Sequence, residues 1–156
     1  MSKLGSLLGK EYEDHKQSIL TRTLKFNEAT FKVIVPSVAK IESIYNYRNS
    51  PNLEKIEAIY QELKTNLVIK PEDKVEETEN DIVVNGRSIR ESALNTHLTQ
   101  YQVLEYFKFL VPQDGQDINT LTYEDINAEI PLQIQIEFLG KINEILSPDY
   151  KDIRSK

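Results

Sequence analysis

The spacing of apolar residues changes abruptly at Pro36, and that change confines the chain to a mixed fold. Before it, across residues 21–35, Leu24 and Phe26 alternate with polar residues, and so do Phe31, Val33 and Val35. Side chains two positions apart share one face of a strand, so this segment is predicted to form a β-hairpin turning at Asn27-Glu-Ala29. Ile34 falls on the opposite face. Proline has no N–H to give to the ladder, so the strand ends at Pro36. Beyond it apolar residues recur every three or four positions. Val38, Ile41, Ile44 and Tyr45 make one stripe of a helix capped by Ser37, expected to stop near Asn49. Ser50-Pro51 restarts the chain, with serine as cap and proline at the first helical position. Leu53, Ile56, Tyr60 and Leu63 then line a second helix, and the short connection suggests an antiparallel helix pair.

The rest of the chain continues this mixture. In residues 1–20, Leu4, Leu7 and Leu8 have helical spacing, but Gly5 and Gly9 weaken it, so a flexible or weakly helical N-terminus is expected. Residues 71–81 carry six acids against Lys74, with Val75 the only strongly apolar side chain, and read as an acidic linker or disordered loop. Asn85-Gly86 is a strong hairpin signal, because both central residues of a type I′ turn need positive φ. Ser88 and Glu91 have capping-box spacing, so a helical turn is expected there. Thr99 and Gln102 repeat that spacing with Leu98 and Val103 as a staple, and give the cleaner helix start. This third helix carries Val103, Tyr106, Phe107 and Leu110 and ends at Pro112. Thr122 and Asp125 open a short helical turn. Pro131 begins a last helix with Leu132, Ile136, Leu139, Ile142, Ile145 and Leu146 in phase, closed by Ser147-Pro148 and followed by a polar tail at 149–156. The reading is an α+β fold, mainly helical: N-terminal hairpin, helix pair, small Asn-Gly hairpin, then two or three C-terminal helices. One globular domain is expected over residues 21–148.

Composition excludes several function classes. The 156 residues include no cysteine, which removes disulfides, thiol nucleophiles and Cys-ligated zinc. No apolar run is long enough for a signal peptide or a membrane span, so a cytoplasmic protein without membrane contact is expected. The net charge of −6 disfavours binding to a nucleic-acid backbone. It is unevenly spread, with residues 1–64 holding 10 basic and 8 acidic side chains and the remainder 9 and 17. No phosphate-binding glycine loop occurs. His15, near Glu11, Glu13 and Asp14, lacks a second histidine at ligand spacing, and a solvated terminus is the simpler reading. The acids of 71–81 and of Gln113-Asp-Gly-Gln-Asp117 lack the calcium-loop pattern. His97 precedes the expected third helix and reads as a capping or half-buried polar residue. No catalytic residue, metal or cofactor is therefore expected.

The aromatic residues say more. The chain has eight Tyr, five Phe and no Trp. Tyr45 and Tyr47 lie near the end of the first helix, and Tyr101, Tyr106, Phe107 and Phe109 crowd the third. A helix that is apolar around most of its circumference is either a central core helix or one that covers a partner or a second copy of the chain. On the second reading the partner-binding candidates are Ile41, Tyr45, Tyr60, Tyr101, Tyr106 and Phe109.

The stretch from Thr21 to Leu63 resembles the start of a tailed-bacteriophage tail assembly chaperone. The matching residues are Leu24-Lys-Phe-Asn27, Thr30-Phe-Lys-Val-Ile-Val-Pro36 and the helix from Ser37. The resemblance implies a non-enzymatic protein of virion assembly in the host cytoplasm. Such a protein binds tape measure or tail tube protein and keeps it soluble. The acidic segment and the hairpin at 71–89 have no counterpart in that pattern. A structural subunit of a phage tail or baseplate is the alternative, and an enzyme with a deep polar pocket is a third.

Overall fold

The computed structural model describes residues 3–112 and 115–146. The expected tail at 149–156, the helix stop at Ser147-Pro148 and the loop residues Gln113 and Asp114 lie outside them. The fold is α+β and mainly helical. In chain order the elements are α1 (Lys3–Leu8), α2 (Lys10–Leu20), β1 (Thr21–Phe26), β2 (Ala29–Ile34), α3 (Val38–Asn46), α4 (Leu53–Thr65), β3 (Val75–Glu77), β4 (Ile82–Val84), β5 (Arg87–Ser88), α5 (Ile89–Phe107), α6 (Tyr123–Glu129) and α7 (Leu132–Leu146). Where one domain over 21–148 is expected, the chain divides into two compact units, residues 1–41 with 103–156 and residues 42–102.

In the first unit, Gly9 at φ 87° separates α1 from α2. Strands β1 and β2 pair antiparallel, with Leu24 opposite Phe31 and Phe26 opposite Ala29. The hairpin turns on Asn27 and Glu28, at φ 48° and 70°. Asparagine tolerates that left-handed region, and glutamate adopts it at a cost. The far edge of β2 is covered by residues 109–111. Ile34 N–H donates to the Phe109 carbonyl at 2.7 Å, and Val111 N–H to the Lys32 carbonyl at 2.9 Å. Leu24, Val33, Tyr106, Phe107, Phe138 and Ile142 are buried here. The Phe138 ring is central, with centroids 5.1 Å from Phe26, 5.7 Å from Phe31 and 4.7 Å from Phe107.

Helix α7 is rotated relative to the expected stripe. Leu132 and Ile136 are exposed, while Gln135, Phe138 and Ile142 are buried. The cause is Gln135, whose amide is fully engaged. Its Oε1 accepts from the Tyr123 hydroxyl at 2.9 Å, and its Nε2 donates to the Ile130 carbonyl at 2.7 Å. A buried amide with its bonds made costs little, so polarity alone does not mark the solvent face. Upstream, Thr122 and Asp125 form a complete capping box at the start of α6.

In residues 42–102 the helix caps also differ from expectation. Helix α4 is capped by Asn52, whose Oδ1 accepts from the N–H groups of Glu54 and Lys55, not by Ser50. Its buried residues Ile56 and Tyr60 pack with Ile82, Ile89 and Ala93, so sheet and α5 cover the stripe that a helix pair was expected to bury. The segment at 71–81 is not a disordered loop. It contributes β3, paired antiparallel to β4, and β4 pairs β5 through the Asn85-Gly86 turn at φ 52° and 81°. Its acids do structural work at both ends. Asp73 accepts from Lys70 N–H and from the Asn85 amide. Asp81 accepts from the N–H groups of Ile82 and Arg90 and from the Ser88 hydroxyl. Helix α5 therefore starts after Ser88, whose Oγ accepts from Glu91 N–H at 3.0 Å. Thr99 lies inside the helix, because nothing between Ile89 and Leu98 breaks it.

Candidate functional site

An aromatic cleft lies within residues 42–102. The last turn of α3 supplies Ile44 and Tyr45, the following 3-10 turn (Tyr47–Asn49) supplies Tyr47 and Arg48, and α5 supplies Leu98, Tyr101 and Gln102. Positions 98, 101 and 102 share one helix face at steps of three and four. The cleft is shallow, with a volume of about 30 Å³. The Tyr47 and Tyr101 rings stack, with centroids 3.7 Å apart and planes inclined by 9°. Arg48 is exposed at this cleft and makes no ion pair among the described residues.

A polar chain fixes this wall. The Tyr47 hydroxyl lies 2.7 Å from His97 Nε2 and accepts from Asn52 N–H at 3.0 Å. The hydroxyl can accept from Asn52 and still bond Nε2 of a neutral imidazole, whose tautomer sets which of the two donates. His97 is only 5% exposed. Burial, reinforced by the charge of Lys55, holds its pKa below the ordinary histidine value. Its ring thus holds the Tyr47 hydroxyl, and through Asn52 it ties α5 to the first turn of α4.

The six candidate binding residues separate. Tyr45, 46% exposed, and half-buried Tyr101 come together in the cleft. Ile41 is half-buried and belongs to the other unit. Tyr60, Tyr106 and Phe109 are buried and offer no surface to a partner. Tyr60 lies beneath Arg90, whose guanidinium carbon is 4.0 Å from the ring centroid. Tyr106 packs on Phe109 at 5.5 Å. Tyr47 and Arg48 line the cleft, His97 bonds Tyr47, and none of the three was among the candidates. Their only sequence signal is local: His97 and Tyr101 are four apart on one helix, and Tyr47-Arg48 lies in the short connection before Pro51.

Other polar clusters are internally satisfied. Arg90 is bound to Glu57 at 2.6 Å and also donates to the Asn80 carbonyl. Hydrogen bonds from Arg90 and Gln61 lower the Glu57 pKa. Burial opposes ionisation of Asp81, but the bonds from Ser88, Arg90 and Ile82 outweigh it and hold its carboxyl below the usual range. Among the described residues no His, Asp and Glu side chains converge as metal ligands, and no helix is long and apolar enough to cross a membrane. No protein-family model, curated protein or solved structure matches the chain.

Proposed function

We propose that this chain is a non-catalytic protein-binding factor whose contact site is the aromatic cleft of Tyr45, Tyr47 and Tyr101. The observation that carries this reading is a cleft walled by stacked tyrosines with the unpaired Arg48 at the same site. Rigid aromatic surface beside an arginine is the composition enriched where proteins bind one another. His97 supports the same reading, because its Nε2 serves to hold Tyr47 and the α4 cap. The resemblance at residues 21–63 gives the biological setting: a tail assembly chaperone that keeps tape measure or tail tube protein soluble in the host cytoplasm.

Co-expression of the chain with a tagged tape measure fragment, followed by pull-down, tests this. Tyr45→Ser and Arg48→Ala are expected to weaken capture by about tenfold or more, as removal of an interface anchor does, while thermal melting stays within a few degrees of the parent. Undiminished capture by both variants would remove the cleft from the binding site. No capture by the parent chain would remove the proposed client.

A further inference from the structure

The sheet of residues 42–102 ends in an open edge. Strand β3 is outermost in the order β3-β4-β5, and its three residues are all exposed. The ladder shows which backbone groups face outward. Asn85 N–H donates to the Lys74 carbonyl at 2.8 Å, and Thr78 N–H to the Asp81 carbonyl at 2.9 Å. Hydrogen-bonded residues alternate along an antiparallel strand. With Glu76 opposite Val83, Glu76 bonds inward, and Val75 and Glu77 turn their N–H and C=O groups away from β4. No bond to those outward groups is made among the described residues. An edge of this kind templates another strand unless something blocks it. In the other sheet, by contrast, residues 109–111 already cover the edge of β2.

Charge decides the occupant. Glu72, Glu76, Glu77 and Glu79 flank this edge without ion pairs among the described residues. Lys74 is the only cation of residues 71–81; Lys64 and Arg90 share a groove with Glu77 and Glu79, and Arg90 is already paired with Glu57. A second copy of β3 would set glutamate against glutamate, and like charges directly opposite destabilise a strand pair. The acids thus block self-pairing and leave the edge open to the opposite sign.

We propose that the outer edge of β3 docks an extended, lysine- or arginine-rich segment of a partner protein, which adds as a further strand through Val75 and Glu77. This surface stands apart from the aromatic cleft and does not rest on it.

The test uses the intact chain, isotopically labelled, with a capped octapeptide alternating lysine and valine as probe. On binding, the Val75 and Glu77 amides are expected to slow in hydrogen exchange by about tenfold or more, while the Glu76 amide, already bonded, changes little. The glutamate–valine counterpart should leave all three unchanged. Val75→Pro removes one outward N–H without touching a ladder bond, and should weaken the lysine peptide about tenfold. The exchange readout on the parent chain stands even where that variant folds poorly. The proposal is overturned if the lysine peptide does not bind, if it binds without slowing Val75 and Glu77, or if the acidic peptide protects them equally. Tyr45→Ser should leave peptide binding unchanged, so failure at the cleft and failure at the edge are separate results.

Discussion

Burial and the nearby charge of Lys55 favour neutral His97 over its protonated form. Folded His97 holds its proton less readily than unfolded histidine. Below the ordinary histidine value the unfolded chain therefore binds more protons, and stability falls as pH falls. The contribution is complete above about 6.5, the ordinary histidine value. Thermal melts from pH 8 to pH 5 should show the melting temperature dropping through the acidic half of that range, and His97→Gln should flatten the slope. At the first hairpin, Glu28 sits at φ 70°, a region that glycine enters freely. Glu28→Gly is expected to raise unfolding free energy by about 0.5–1 kcal/mol, read from the urea midpoint. The Asn85-Gly86 turn was legible in the sequence because its φ requirement belongs to the two residues themselves. The Asn27-Glu28 turn was legible only in outline, because glutamate carries no such signal.

Among the elements, α5 owes its start to a side chain outside it. Asp81 accepts two backbone N–H groups and the Ser88 hydroxyl, and Ser88 in turn caps Glu91. Asp81→Ala should cost about 1–3 kcal/mol in urea unfolding, since it leaves helix-terminal donors without their acceptor. The sequence carries the Ser88 cap but not the Asp81 support, which comes from a turn seven residues earlier. That missing support is why Thr99 reads as the cleaner start. Helix α7 misleads for another reason. Leu132, Ile134, Ile136, Phe138, Leu139 and Ile142 are too many for one face, so periodicity alone leaves its rotation undetermined. Aromatic packing of Phe138 and the bonds of Gln135 settle it. Phe138→Ala should therefore cost about 3–5 kcal/mol. Ile136→Lys should stay within about 0.5 kcal/mol, as surface changes do. Equal losses in the two variants would contradict the rotation seen here.

At the scale of the whole molecule, the sequence conveyed the class of fold and the aromatic character of the site, but not which aromatics face outward. Tyr45 and Tyr60 both sit on helical apolar stripes, and only the packing of Ile82, Ile89 and Ala93 around Tyr60 separates core from cleft. Charge has its own consequence at this scale. The ordered segment at 71–81 keeps six acids beside a single lysine, and their mutual repulsion weakens with ionic strength. Raising sodium chloride from about 0.02 M to about 0.5 M should raise the melting temperature, and Glu76→Gln with Glu79→Gln should shrink that rise. The bonds between β2 and residues 109–111 also impose a timetable on synthesis. Translation proceeds from the N-terminus, so residues 32–34 emerge long before their partners exist. By then the whole of 42–102 has been translated. One unit is complete in a single continuous stretch, while the other must hold an open strand until the ribosome has passed Val111.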